Sequence, residues 1–260
     1  MQDSVPLRCI AVVTVCRNPG AQLRDALESV RSLSDPRVRH IVIDGASTDG
    51  TVEYLRSVEH SLHYWISEPD RGIYDAMNKG WAAAPEDSYV LYIGADDLLL
   101  SLPSAEELTA AEAAGHRLVC GTTATGTSNF TSQFAPSIRW HNTVHHQSLL
   151  VRADLFTEPP FDARWRVYAD WDLNIRLWRD GVSAAQYRSL RSYASPGGVS
   201  SKLPVLEFVT VAARNSGAAF GLAALGAILV AQACRQPAIA WMIRKAKRLR
   251  QFVALGDSRR

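Results

Sequence analysis

An apolar run that stops on two adjacent carboxylates, Tyr89-Val-Leu-Tyr-Ile-Gly-Ala-Asp-Asp97, is the stretch of this chain whose residue types point most directly to chemistry. A strand ending in paired Asp offers hard oxygen ligands at a sheet edge, which suits Mg2+ or Mn2+ bridging substrate phosphates. Asp is also a favoured turn residue, so the same pattern fits a strand followed by a polar turn. Farther along, Ala169-Asp-Trp-Asp-Leu173 places Asp170 ahead of helix-spaced Leu173, Leu177 and Trp178. A carboxylate within hydrogen-bond reach of a hydroxyl can take its proton as a new bond forms, and one at a helix start also caps it. Asp172, in the same first turn, reads as a solvent-facing partner of the helix dipole. Between the two carboxylate groups lies His145-His-Gln-Ser148. Adjacent strand positions face opposite ways and no third His or Cys has ligand spacing, which argues against zinc.

These groups need elements to bring them together. Ile10-Ala-Val-Val-Thr-Val15 is short, apolar and β-branched, the pattern of a buried strand, and it breaks at Arg17-Asn-Pro-Gly20. Gln22 to Leu33 then carries Leu23, Ala26, Leu27, Val30 and Leu33 at helical spacing. His40-Ile-Val-Ile-Asp44 is a second buried strand, and Val52 to Val58 a second helix with Asp49 as its expected N-cap. Strand and helix in alternation predict an α/β fold with a mainly parallel sheet flanked by helices. Such sheets bind ligands at the carboxyl ends of their strands. Arg17, Asp44, Asp96 and Asp97 would then share one edge.

Four segments in order carry a resemblance: Asp44-Gly-Ala-Ser-Thr-Asp-Gly-Thr51, Glu68-Pro-Asp-Arg-Gly-Ile-Tyr-Asp-Ala-Met-Asn-Lys-Gly80, Gly94-Ala-Asp-Asp97 and Ala169-Asp-Trp-Asp-Leu173. Together they resemble the motif set of family 2 glycosyltransferases, in the bacterial polysaccharide-assembly branch similar to colanic-acid-type sugar transferases. The resemblance spans roughly residues 8–200. It implies a GT-A fold, a UDP- or GDP-sugar donor, a metal-dependent inverting transfer, and a growing, lipid-linked glycan as acceptor. By the same resemblance Asp44 accepts hydrogen bonds from the nucleotide base, and Arg71 and Asn78 belong to a donor-binding loop. Arg17 stands where the family often has an aromatic residue, and a guanidinium can also stack on a base. Gly94 occupies the first position of the family's Asp-x-Asp motif, which leaves Asp97 as the expected metal ligand and Asp96 for the ribose or a metal-bound water. Asp170 matches the family's catalytic base, with Ala169 in place of the usual Glu. His146 and Gln147 fall on a segment that lines the acceptor or diphosphate side.

Composition is compatible with this reading. The chain has 260 residues, is 47% hydrophobic and carries a formal net charge of +2, so nothing draws it generally to nucleic acid. Cys9, Cys16, Cys120 and Cys234 have neither pairing nor metal spacing, which suggests reduced thiols and a cytoplasmic setting. No secretory signal opens the sequence. A glycosyltransferase domain over residues 1–203 would be followed by a helical segment over 204–260. There, Ser216 to Cys234 is uncharged, and Arg244, Lys245, Lys247, Arg248 and Arg250 follow. That arrangement suggests contact with an anionic membrane surface on the cytoplasmic face, with packing on the catalytic domain or a membrane span as alternatives. A nucleotidyltransferase or a non-catalytic nucleotide-sugar-binding protein would also use a parallel sheet and carboxylates. The first would need a Gly-rich basic loop after the first strand, and the second would not need Asp170.

Overall fold

The computed structural model describes residues 8–126, 128–196 and 204–235. The alternation read from the sequence forms the first half of the sheet: β1 (Cys9–Cys16), α1 (Gln22–Ser32), β2 (Val38–Asp44), α2 (Thr51–Val58), β3 (Tyr64–Ser67), α3 (Ile73–Ala82) and β4 (Ser88–Gly94). β1 pairs in parallel with β2 and β4, and β2 with β3. In the resulting order β3-β2-β1-β4, all four strands deliver their carboxyl ends to one edge. These strands are apolar almost throughout because helices cover both faces. Val12 belongs to a buried cluster with Ile10, Tyr89, Leu91 and Leu108. Val13 points the other way, where a Cβ on Gly80 of α3 would sit 2.2 Å from its Cγ1. Only a glycine lets α3 approach the sheet this closely.

The second half departs from uniform parallel pairing. β5 (Leu98–Ser101), α4 (Ala105–Ala113), β6 (Leu118–Thr125), β7 (Ser128–Thr131), β8 (Leu149–Arg152), α5 (Ala169–Arg179) and β9 (Ala184–Ala194) follow. β8 is antiparallel to both β4 and β6, β9 runs parallel to β6, and β5 and β7 attach antiparallel to β9 and β6. The whole is one nine-stranded mixed sheet. At its amino-terminal side, the buried guanidinium of Arg152 pairs with Asp87, Glu112 and Asp154, and Arg8 joins the same Asp87 and Glu112. These pairs tie β4, α4 and β8 at the end of the sheet remote from the paired carboxylates.

The chain divides into two compact units, residues 1–202 and 203–260. In the second, α6 (Val205–Ser216) and α7 (Ala218–Arg235) are joined at Gly217, whose φ of 95° is readily adopted only by glycine. Gly221 lets the two helices meet closely, since a Cβ there would lie 2.6 Å from that of Ala213. Leu206, Leu222 and Leu229 are exposed. Among the described residues no helix is long and apolar enough to cross a membrane, so a span is not supported there. The basic cluster from Arg244 to Arg250 lies outside the described residues.

Candidate active site

At the carboxyl ends of β1 and β2 two loops are laced together. The Asn18 N–H donates to Ser47 Oγ (2.7 Å), Thr48 N–H to Asn18 Oδ1 (2.8 Å), and Gly20 N–H to Asp49 Oδ2 (2.8 Å). Asp49 also accepts from Thr51 N–H and Oγ, so it secures the start of α2 although Gly50 holds the formal capping position. Asp44 ends β2 fully buried. Its carboxylate accepts from Ser47 N–H (2.9 Å), Ser47 Oγ, Ser67 Oγ (2.6 Å) and the Cys16 thiol (3.5 Å). Its near acceptor positions are therefore taken by the ends of β1 and β3 and by the loop that follows β2 itself, and a base could read it only by displacing one of these donors. Burial, aided by Asp44, raises the Cys16 pKa far above its usual value. The Arg17 side chain lies over Gly45, where an added Cβ would be 3.4 Å from Arg17 Cβ and 2.8 Å from Asp70 Oδ2.

The segment opening α3 is held from within. Arg71, whose side chain is 84% exposed, pairs with Asp75 at 2.9 Å, and Asp75 also accepts from the Arg71 N–H (3.0 Å). Those hydrogen bonds hold the Asp75 carboxyl below the usual range. Arg71 is thus aimed outward on a fixed helix start, where it is accessible to a ligand. Asn78 is not. Its Nδ2 donates to the Phe161 carbonyl (2.8 Å) and its Oδ1 accepts from the Phe161 N–H (3.0 Å), a reciprocal clasp that uses the amide. In this structure the Asn78 amide fixes the 161 loop.

Beyond β4 the two carboxylates have separate surroundings. Asp97 is 4% exposed and accepts from Gly94 N–H (3.1 Å), Gln147 Nε2 (2.6 Å) and Ser195 N–H (3.0 Å). Asp96 is half-buried, and burial together with the adjacent Asp97 charge raises its pKa. Asp97 is thus held by three donors of the fold, while Asp96 stands half-buried beside it. Gly94 is also explained. A Cβ there would fall 2.6 Å from Asp97 Oδ2 and 3.0 Å from Asp96 Oδ1, so the carboxylates occupy the space a side chain would need. Among the described residues no group of three or more His, Cys, Asp or Glu could hold a metal ion. The Oε1 of Gln147, though, is buried without a hydrogen-bond partner beside Asp97, leaving one more hard oxygen in this place.

Asp170 sits in the first turn of α5, a helix anchored by fully buried Trp171, whose Nε1 donates to the Ile138 carbonyl (2.6 Å). One oxygen of Asp170 accepts from Trp171 N–H (2.8 Å) and lies 3.1 Å from the Tyr74 hydroxyl of α3. The other accepts from Asn142 Nδ2 (3.1 Å) and stands 3.6 Å from His146 Nδ1. Consecutive residues therefore bridge the two carboxylate groups: His146 reaches Asp170 and Gln147 reaches Asp97. Beside them burial holds His145 down at about 4, so its imidazole is neutral near pH 7. Asp172 contradicts its reading as solvent-facing. It is 1% exposed and pairs with Arg176 at 3.0 Å, because the helix turns this position inward against the 160 loop, whose Pro160 carbonyl accepts from Arg176. Sequence reasoning also missed Asn142, Ser195 and Tyr74. Tyr74 lay inside a noted segment, whereas Asn142 and Ser195 are loop residues without periodic signal.

The model of the family described as "Glycosyl transferase family 2" matches residues 11–167. The PGL/p-HBAD biosynthesis glycosyltransferase of Mycobacterium bovis is 29% identical over 217 residues, covering 79% of this chain and 84% of that protein. Among solved structures, S. aureus TarS is similar with a TM-score of 0.58 at 14% identity, over 78% of this chain and 38% of the TarS chain. Its fragment 1–349 has been solved with UDP-GlcNAc. The mannosyltransferase PcManGT of Pyrobaculum calidifontis, solved with GDP-Man and Mn2+, has a TM-score of 0.58 at 16% identity over 92% of this chain and 79% of its own.

Proposed function

The chain belongs to glycosyl transferase family 2 and has the GT-A fold, and on that premise we propose that it transfers a sugar from a UDP- or GDP-sugar to a hydroxyl of a growing, lipid-linked glycan, with inversion at the anomeric carbon and release of the nucleoside diphosphate. The observation that carries this reading is the bridging of Asp170 to the Asp96–Asp97 turn by neighbouring His146 and Gln147. Such an arrangement links, through one short segment, a base for the acceptor to carboxylates for a metal-bound diphosphate, as displacement from opposite sides of an anomeric carbon requires. Asp170 takes the acceptor hydroxyl proton, and the rigid, Trp171-anchored helix holds it to its line of approach. The exposed Arg71, paired with Asp75 through Nε and Nη2, offers its remaining N–H groups to phosphate or ribose oxygens, for which the guanidinium fork is suited. Arg17 and the laced loops form the place for the base and ribose, with Asp44 organising them from beneath. His146 lies between the acceptor and the diphosphate.

The oxygens of Asp96 and Gln147, backed by Asp97, suit Mg2+ or Mn2+, with the diphosphate and water completing the shell. When bound, such an ion neutralises charge on the departing nucleoside diphosphate. The donor class is supported by the UDP-GlcNAc and GDP-Man complexes of the structural neighbours. The lipid-linked acceptor and a peripheral place on the cytoplasmic membrane face are supported by the exposed leucines of α6 and α7 and the following basic cluster. The free thiols of Cys9, Cys16 and Cys120 are consistent with a reducing compartment. The test is Asp170→Asn assayed for nucleoside-diphosphate release from a panel of UDP- and GDP-sugars. Turnover should fall about 10²–10⁴-fold with nucleotide affinity retained; undiminished turnover would remove Asp170 as the base.

A further inference from the structure

Asp170 needs more than a helix to serve as a directional base, since a carboxylate rotates about its own bond and offers several lone pairs. Its Oδ1 is fixed by the Trp171 N–H. The Tyr74 hydroxyl has one hydrogen, and its shorter contact is to the Val167 carbonyl at 2.6 Å, against 3.1 Å to Asp170. Tyr74 is thus a weak donor to Asp170. Asn142 differs. The backbone N–H of Val144 can only donate, and it reaches Asn142 Oδ1 at 3.3 Å; Asn174 Nδ2, from a residue 2% exposed on α5, reaches the same oxygen at 3.1 Å. The orientation of the amide is thereby set by its neighbours, and its NH2 must turn toward Asp170 Oδ2, 3.1 Å away. His146 flanks the same oxygen at 3.6 Å.

We propose that Asn142 is a positioning residue: its amide, oriented by Val144 and Asn174, holds the Asp170 carboxylate in the rotation that presents an acceptor lone pair to the incoming hydroxyl. The proposal rests on the reading of Asp170 as the base. Its consequence is a sharp asymmetry between two substitutions. Asn142→Asp keeps the shape and the oxygen that accepts from Val144 and Asn174, yet sets an acceptor against Asp170. Two carboxylates that close cannot both stay ionised, so the pair shares a proton and the base is compromised. Asn142→Ala instead removes the oxygen as well, leaving Val144 and Asn174 without their partner.

The experiment measures nucleoside-diphosphate release from UDP- and GDP-sugars with Mn2+, donor KM and thermal midpoint for the full chain and for Asn142→Asp, Asn142→Ala and Asp170→Asn. Loss of a hydrogen bond to a charged group predicts that Asn142→Asp lowers kcat about 10–100-fold at nearly unchanged donor KM, and the proton the pair must share lowers its thermal midpoint at neutral pH. Asn142→Ala should melt earlier but keep more turnover than the Asp variant. Asn142→Ala adds no charge beside Asp170, so well below its midpoint it should still turn over more slowly than wild type at unchanged donor KM; if its kcat there equals that of wild type, Asn142 only braces the loop and the proposal is overturned. If Asp170→Asn is inactive while Asn142→Asp turns over normally, only the positioning role falls. If Asp170→Asn turns over normally, the base assignment falls and takes the positioning role with it.

Discussion

Asp172→Ala separates what this helix does for stability from what it does for chemistry. The carboxylate is 1% exposed and pairs with Arg176, whose side chain is 28% exposed and also donates to the Pro160 carbonyl. Removing one partner of a fully buried pair costs about 3–5 kcal/mol, because a charge is left uncompensated. Arg176 keeps its carbonyl and can reach water, so the cost here should be smaller, about 2–3 kcal/mol. For a domain of this size each kcal/mol lowers the melting midpoint by about 2–4 °C, giving a fall of about 4–12 °C. A solvent-facing helix-dipole partner would be worth only about 0.3–1 kcal/mol. Differential scanning fluorimetry of the purified variant at neutral pH reads the shift directly. A fall under about 3 °C would refute the buried pair as a structural element. Nucleotide affinity, measured below the lowered midpoint, should be unchanged.

Gly94→Ala should lower stability by about 1–3 kcal/mol, since its Cβ enters space held by two carboxylates; calorimetric titration should also show weaker Mn2+-dependent nucleotide binding, and wild-type affinity would show that the turn can open without loss. His40 is buried against Thr14, and burial depresses its pKa from 6.5 to about 4. The unfolded chain therefore takes up a proton that the folded one refuses, and stability falls as pH drops from about 6.5 toward 4, by on the order of 3 kcal/mol from this residue. Urea midpoints across that range should slope less in His40→Gln, and parallel slopes would count against the assignment. Deleting residues 204–260 should leave nucleotide binding intact and abolish flotation with anionic liposomes; flotation by the shortened chain would place membrane affinity elsewhere.

The parts of this molecule legible in its sequence are those whose pattern is local. β1, β2 and β4 announced themselves as apolar runs, and α1 by its 3–4 spacing, because burial on both strand faces or one helix face leaves a periodic trace. The antiparallel return of β8 between β4 and β6 left none, since its four residues acquire their place only through partners far away in sequence. The same limit applied to the site. Asp96, Asp97 and Asp170 stood out as carboxylates at element ends, but the partners that hold Asp97 and Asp170, Ser195, Gln147 and Asn142, arrive from other loops. Asp172 was misread because a first-turn Asp is usually solvated, and only the inward turn of α5 against the 160 loop shows otherwise.

The laced loops after β1 and β2 bear on how fast a ligand can be captured. Their three cross-links, from Asn18 and Gly20 on one loop to Ser47, Thr48 and Asp49 on the other, are made by the protein to itself. Ordering a loop at the moment of association would cost about 0.5–1.5 kcal/mol per immobilised side chain, and here that restriction is settled during folding. On the proposed donor site, a nucleotide arriving at this edge would meet a surface already shaped, so its capture would be governed by diffusional encounter and by the release of the exposed Arg71 from Asp75.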